Sequence, residues 1–395
     1  MVHLLEEKDG VISIALAGRI QTDNAQQIKD AILQLLEGKT YDRLILNAKN
    51  LDYLSSSGLR VLLQLQKMQT DKIQIIECNS EVFDIFSMTG FTEIIDVRRS
   101  LRIINTEGCK LIGKGANGEV FQLDRETIIK VYMPNTPMSD VQRERDLAQK
   151  AFLKGIPTAI SYDVCKTQKD RLGIVFELLD AKTLSDVIME HPERFDELAE
   201  EYVNVFKEFH TKIVEKAEFP SLKEIYMGYI DGCKDWYTEE ELNLLRKLVL
   251  SIPDRKTMIH GDYHAHNIMY VDGELVMIDM GDVGYGHPVF DFLATAASQI
   301  NLAELNPEFS EIHTGMSVEF IRKLWYRLID LYFADRNPEE IAEIEQQIRM
   351  FSKLKVAIAP VVARGIDPEI LQVSVADART NLLPHIDELI GTLDW

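Results

Sequence analysis

The strings I-H-G-D-Y-H-A-H-N-I-M-Y at 259–270 and L-V-M-I-D-M-G-D at 275–282 decide how this 395-residue chain is read. Apolar runs of strand type frame the polar residues in both, so the pair predicts a short hairpin that carries side chains from two loops to one place. Asp262, Asn267 and Asp279 are the oxygen-bearing residues that converge there. Carboxylate and amide oxygens suit a hard divalent cation such as Mg2+, which leaves several of its positions to phosphate and water. His260, His264 and His266 raise a rival zinc reading, since His260 and His264 are four apart. It is the weaker one: no Glu stands next to His260 as in H-E-x-x-H, and Gly261 disfavours a helix there.

The spacing H-x-D-x-x-x-x-N resembles the catalytic loop of kinases, and that resemblance gives each residue a role. Phosphoryl transfer is mostly positioning and charge neutralisation. Asp262 is then the catalytic base that accepts the proton of an attacking hydroxyl, Asn267 and Asp279 hold Mg2+, and His260 orients the loop through a backbone hydrogen bond. The fuller pattern, H-G-D-Y-H-A-H-N-I-M, I-D-M-G-D and G-H-P-V-F-D-F at 286–292, resembles the aminoglycoside and choline phosphotransferase family. Protein kinases would show His-Arg-Asp, Asp-Phe-Gly and Ala-Pro-Glu instead. The resemblance implies ATP and Mg2+ as cofactors and a small-molecule hydroxyl acceptor of aminoglycoside, amino alcohol or sugar type. It also implies a bilobal protein-kinase-like fold with a helical C-terminal lobe. Asp291 takes the place of the family's structural aspartate, with helix capping or loop anchoring as its role. In that family the C-terminal helices wall the acceptor pocket, which makes Trp325, Tyr326 and Asp330 candidates for its lining, although an aromatic on a helix is more often core.

Upstream, L-I-G-K-G-A-N-G-E-V-F from Leu111 contains the spacing G-x-G-x-x-G-x-V at Gly113, Gly115, Gly118 and Val120. A strand-like run follows rather than a helix, which favours a hairpin folded over phosphates against a dinucleotide-binding turn. The strand T-I-I-K-V-Y sets Lys130 between apolar neighbours, where an ammonium needs a counter-charge. By resemblance to the kinase helix-C glutamate its partner is Glu144, with Asp146 also available. The buried strand at 173–179 resembles the segment that meets adenine through backbone groups, with Glu177 and Leu179 at that edge.

Residues 1–105 alternate strand and helix patterns: a strand at 11–20, a helix at 23–36, a strand at 43–48, a helix opened by serines 55–57, a strand at 72–77 and a helix at 81–88 stopped by Gly90. This predicts an α/β layer with a mixed sheet. G-R-I-Q-T-D-N-A at 18–25, Y-L-S-S-S-G-L-R at 53–60 and M-T-G-F at 88–91 resemble the STAS domain of anti-sigma factor antagonists. In that family a partner kinase phosphorylates the serine after the aspartate of a D-S-S-G or D-S-T-G turn; the matching candidate phosphosite is Ser56, and Ser55 stands where the preceding aspartate would be. The resemblance also implies a protein partner through this domain.

Three segments are expected: a STAS-like domain at 1–105, a kinase-like N-lobe at 106–180 and a C-lobe with C-terminal helices at 181–395. The formal charge of −21, with 31 basic and 50 acidic residues after residue 105, argues against a nucleic-acid surface. Four cysteines at wide spacings, no apolar leader and no membrane-length apolar run fit a cytoplasmic protein. Two other functions compete with a small-molecule kinase: a serine kinase acting on Ser56 or on a partner, and a nucleotide-binding scaffold that regulates through the N-terminal domain.

Overall fold

A computed structural model describes residues 2–115, 118–363 and 368–395. The chain divides into two compact units, 1–103 and 104–395.

The first unit is a five-stranded mixed sheet in the order β1-β2-β3-β4-β5, with β1 (Val2–Lys8), β2 (Val11–Ile20), β3 (Arg43–Leu54), β4 (Gln74–Cys78) and β5 (Asp96–Arg99). β1 runs antiparallel to β2, and the other neighbours are parallel. Helices α1 (Ala25–Leu36), α2 (Ser56–Gln66) and α3 (Ser80–Met88) connect them. Ile28, Ile32 and Leu36 bury one stripe of α1 beside Leu44, Leu46 and Ile75 of the sheet. Three strands exceed the sequence expectation. β1 and β5 are polar edge strands with little alternation, and β3 continues past residue 48 to Leu54, which carries the chain to the serine turn. There Ser55, not Ser56, caps α2, its side chain accepting from Gly58 N at 3.3 Å. Ser56 is the first helical residue and is exposed.

The second unit has the two-lobed layout of a kinase-like fold. Its first lobe is a six-stranded sheet in the order β6-β10-β11-β9-β8-β7, formed by β6 (Arg102–Ile104), β7 (Lys110–Gly115), β8 (Gly118–Gln122), β9 (Thr127–Tyr132), β10 (Ser161–Thr167) and β11 (Leu172–Glu177). Alternation gives the sheet two faces. Ile129, Val131, Cys165 and Val175 cluster on one, while Tyr132 and Ile174 pack against Val141 of helix α4 (Met138–Leu153) on the other. Lys130 lies on this second face, with Val120 and Ile174 as its cross-strand neighbours.

Beyond β11 the fold is mostly helical. The helix Phe195–Thr211 runs through one core with Tyr202, Phe206 and Phe209 buried beside Phe292 of Val289–Ala296 and the helices Val318–Tyr332 and Pro338–Ala357, while Leu222–Gly232, Glu239–Ser251 and Pro368–Asn381 build a second core with Val289, Phe290 and Phe351. Trp325 is fully buried and donates to Glu345 Oε1 at 2.9 Å, so it belongs to the core rather than to a pocket wall. Tyr326 is half exposed.

Candidate active site

Two small ladders build the site. Strand Thr257–Ile259 pairs with Gly284–Gly286, and Ile268–Val271 pairs with Glu274–Met277, so residues 260–267 and 278–283 form adjacent loops. The register Ile268↔Met277, with Ile278 N donating to Asn267 O at 2.9 Å, sets Asn267 and Asp279 side by side. Gly261 locks the loops together. Its φ of +84° is left-handed, and an added Cβ would lie 2.6 Å from Asp282 O.

Buried groups anchor the 260–263 loop from several sides. Asp291, with no solvent exposure, accepts from His260 N at 3.0 Å and from Gly261 N at 2.6 Å. Its Oδ2 is also 3.1 Å from His210 Nε2, and His210 Nδ1 is 2.8 Å from Tyr332 Oη. Thr295 donates to Tyr263 O at 2.8 Å, and Tyr263 donates to Tyr202 O at 2.6 Å. Burial pushes the His260 imidazole down, so it stays neutral and its Nδ1 accepts from Asp262 N at 3.2 Å.

On this frame Asn267 donates through Nδ2 to Asp262 O at 3.0 Å and to Asp262 Oδ2 at 3.2 Å. Asp262 Oδ2 also lies 3.7 Å from His264 Nε2. Surrounding protein works against ionisation of Asp262, but His264 and Lys355 outweigh it and hold the carboxyl below its usual range. It is an anion at neutral pH and, with about a third of its side chain exposed, can meet a ligand.

Lys130 joins the lobes. Its Nζ is 2.7 Å from Glu144 Oε1 and 2.9 Å from Asp279 Oδ1. Glu144 shares the buried stripe of α4 with Val141, Ala148 and Ala151, which turns it inward, whereas Asp146 faces outward beside Arg145. Gly281 makes room for Glu144, since a Cβ there would lie 3.3 Å from Glu144 Oε2. Burial disfavours charge on Lys130, but Asp279 and Glu144 raise its pKa overall, so it remains a cation.

The glycine hairpin is an antiparallel pair with Gly115 opposite Gly118, and residues 116–117 of its turn lie outside the described residues. Its glycines serve different ends. A Cβ on Gly118 would sit 2.2 Å from Val131 O, so that glycine is required by packing against β9. A Cβ on Gly115 would meet nothing within 4 Å, and one on Gly113 would touch only Val120. At the far edge, Glu177 accepts from Ile160 N at 2.7 Å, which occupies its carboxylate. Leu179 lies past the end of β11; its carbonyl accepts from Ala181 N at 2.9 Å, and its own N–H has no partner among the described residues.

Asn267 Oδ1 and Asp279 Oδ2 accept no hydrogen bond among the described residues, because Asn267 Nδ2 and Asp279 Oδ1 carry the contacts given above. An amide oxygen and a carboxylate oxygen left open on neighbouring loops suit Mg2+ in their chemistry. Among the described residues no group of three or more His, Cys, Asp or Glu is arranged to hold a metal. Two protein ligands suffice for Mg2+ when substrate phosphates supply others. His210 and Tyr332 carry no motif and were not among the sequence candidates, and neither were Arg143, Asp282 and Lys355, which line the cleft beside the loops.

Residues 108–312 match the phosphotransferase enzyme family, and residues 4–106 match the STAS domain. BtrV of Bordetella bronchiseptica, assigned as an anti-sigma factor antagonist, is 33% identical over 100 residues, covering 24% of this chain and 84% of that protein. Among solved structures, a streptomycin–ATP ternary complex of APH(2'')-IIa is 17% identical with a TM-score of 0.46, covering 70% of this chain and 92% of that one. A choline/ethanolamine kinase family protein from Mesorhizobium loti is 12% identical with a TM-score of 0.41, covering 72% and 89%.

Proposed function

This chain belongs to the phosphotransferase enzyme family and carries a STAS domain ahead of it, and on that premise we propose that it transfers the γ-phosphate of ATP to a hydroxyl of a small molecule. The observation that carries the reading is the joint placement of Lys130 against Glu144 and Asp279 and of Asn267 against Asp262. The acceptor oxygen attacks the γ-phosphorus, the bond from that phosphorus to the oxygen of departing ADP breaks, and Asp262 takes the hydroxyl proton. Lys130, held by Glu144, orients the phosphates under the glycine hairpin at Gly113, Gly115 and Gly118, with Val120 above the base. The backbone at Glu177 and Leu179 meets the adenine edge. Asn267 and Asp279 would hold Mg2+, which when bound neutralises phosphate charge. The STAS domain serves regulation or docking of a protein partner. No described helix is long and apolar enough to cross a membrane, and we place the protein in the cytoplasm.

The test is Mg2+-dependent ADP release across a panel of hydroxyl compounds, with Asp262→Ala in parallel. Acceptor-dependent turnover that the variant loses is expected. Silence with every acceptor, or a variant as active as the parent, contradicts the reading.

A second reading makes Ser56 a substrate of this or a partner's kinase. It rests on Ser56 standing exposed at the first position of α2, where a phosphate would face free backbone N–H groups and the positive end of the helix. Intact mass after incubation with ATP decides it: a gain of one phosphate that Ser56→Ala abolishes supports it, and an unchanged mass rejects the version in cis.

A further inference from the structure

The cleft beside the two catalytic loops is lined by Gly261, Gly281 and Asp282 from the loops, by Tyr226, and by two cations from different helices, Arg143 of α4 and Lys355 of Pro338–Ala357. Neither cation makes a hydrogen bond or a close ion pair with any described residue. Arg143 is exposed, but for Lys355 this is unusual in a chain where 64 acidic residues outnumber 43 basic ones and other partly buried cations are engaged, as Arg171 is by Glu119 and Lys207 by Leu331 O. Lys355 is only partly exposed, so its ammonium has given up some hydration without a bonded oxygen among the described residues in exchange. Burial works against its charge, yet Tyr226, Asp282 and Asp262 favour it more, so it stays protonated. Asp282 in turn feels both Lys355 and Arg143.

Building on the phosphotransferase reading, we propose that Lys355, together with Arg143, binds an anionic group of the acceptor, so that the hydroxyl compound phosphorylated here carries a carboxylate or a phosphate. Lys355 lines the same cleft as Gly261, the chain neighbour of Asp262 in the catalytic loop, which places an anion bound at its ammonium beside the loop that carries the base. Two cations face the cleft against the single carboxylate of Asp282, so a polycation would meet a net positive charge there, and like charges brought together disfavour binding. Lys355 is therefore a specificity-determining residue.

The experiment uses the full chain in two steps. Titration with Mg2+ and AMP-PNP first tests the nucleotide site; no binding there overturns the phosphotransferase reading and the assignment of the cleft to an acceptor with it. With that site saturated, inorganic phosphate is titrated into the wild type, Lys355→Met and Lys355→Arg. The expected result is a dissociation constant at least tenfold higher in Lys355→Met and largely restored in Lys355→Arg. Phosphate affinity that ignores Lys355→Met, or no phosphate binding while AMP-PNP binds, overturns the proposal. Turnover assays then separate the two sources of the anion, hydroxy acids in one arm and sugar phosphates in the other, with aminoglycosides as the opposing arm. Turnover in either anionic arm with KM raised at least tenfold in Lys355→Met supports the proposal, and turnover confined to aminoglycosides overturns it.

Discussion

Lys130 Nζ stands 2.9 Å from Asp279 Oδ1, joining a strand of one lobe to a loop of the other across 149 positions of sequence. Glu144 holds the same ammonium from α4, and the Lys130 and Glu144 side chains are largely withdrawn from water. Removing the cation leaves two carboxylates near each other with no counter-charge. Lys130→Met is therefore expected to lower stability by about 3–5 kcal/mol and to abolish turnover, as read by the urea midpoint and ADP release. Asp146→Ala, at a residue that faces outward, should leave both unchanged.

Asp291 anchors the loop that carries Asp262, the proposed base. It accepts from two successive backbone N–H groups of the loop and faces His210. In Asp291→Asn one of those positions becomes a donor facing a donor. We expect a fall in kcat of at least tenfold, with a stability loss of about 1–3 kcal/mol, and a smaller effect on both from His210→Ala. Equal kcat in Asp291→Asn and the parent would show that the loop holds its shape by other means.

The two ends of the glycine hairpin should respond differently. Gly118→Ala places a methyl against Val131 O and must displace β8 or β9, so a lower melting temperature is expected. Gly115→Ala meets open space; its melting temperature should hold while KM for ATP rises several-fold, because the methyl stands where phosphates approach the backbone. Parallel melting curves and ATP titrations check both.

His287 predicts a pH dependence of stability. It is buried, its Nε2 contacts Trp395 O at 3.1 Å, and its Nδ1 accepts from Val289 N at 3.1 Å. Burial, helped by the charge of Arg255, pushes its pKa down from 6.5 to about 4. Between those values the unfolded chain binds a proton that the folded chain refuses, so stability falls as pH drops through that window. The loss reaches about 3 kcal/mol near pH 4 and is absent above pH 7. Urea midpoints measured from pH 7.5 to 4.5 should show this slope, and His287→Gln should flatten part of it.

The grouping of Asp262, Asn267 and Asp279 was legible because these residues lie in two short strings whose spacing is fixed by backbone pairing. The hairpin of 268–277 converts a separation in sequence into adjacency of Asn267 and Asp279. The choice between Glu144 and Asp146 could not be made from charge alone; it follows from the stripe of Val141, Ala148 and Ala151, which sequence shows only once the helix limits are known. Polar edge strands such as β1 escaped notice because one face of each meets water and their alternation is weak. Ser55 and Ser56 are equivalent by composition, and only the start of α2 decides which one caps it. Lys355 and Arg143 come from helices without a motif, 212 positions apart, and nothing local to either marks it as part of a cleft.

The most direct measurement is single-turnover transfer from Mg2+–ATP to an accepted hydroxyl compound by the wild type and by Asp262→Asn, with AMP-PNP affinity measured on both. A loss of transfer rate of about 10²–10⁴-fold, with nucleotide affinity within twofold of the parent, is the predicted result. Transfer by Asp262→Asn at the parental rate would contradict the assignment of the base and the active site built around it.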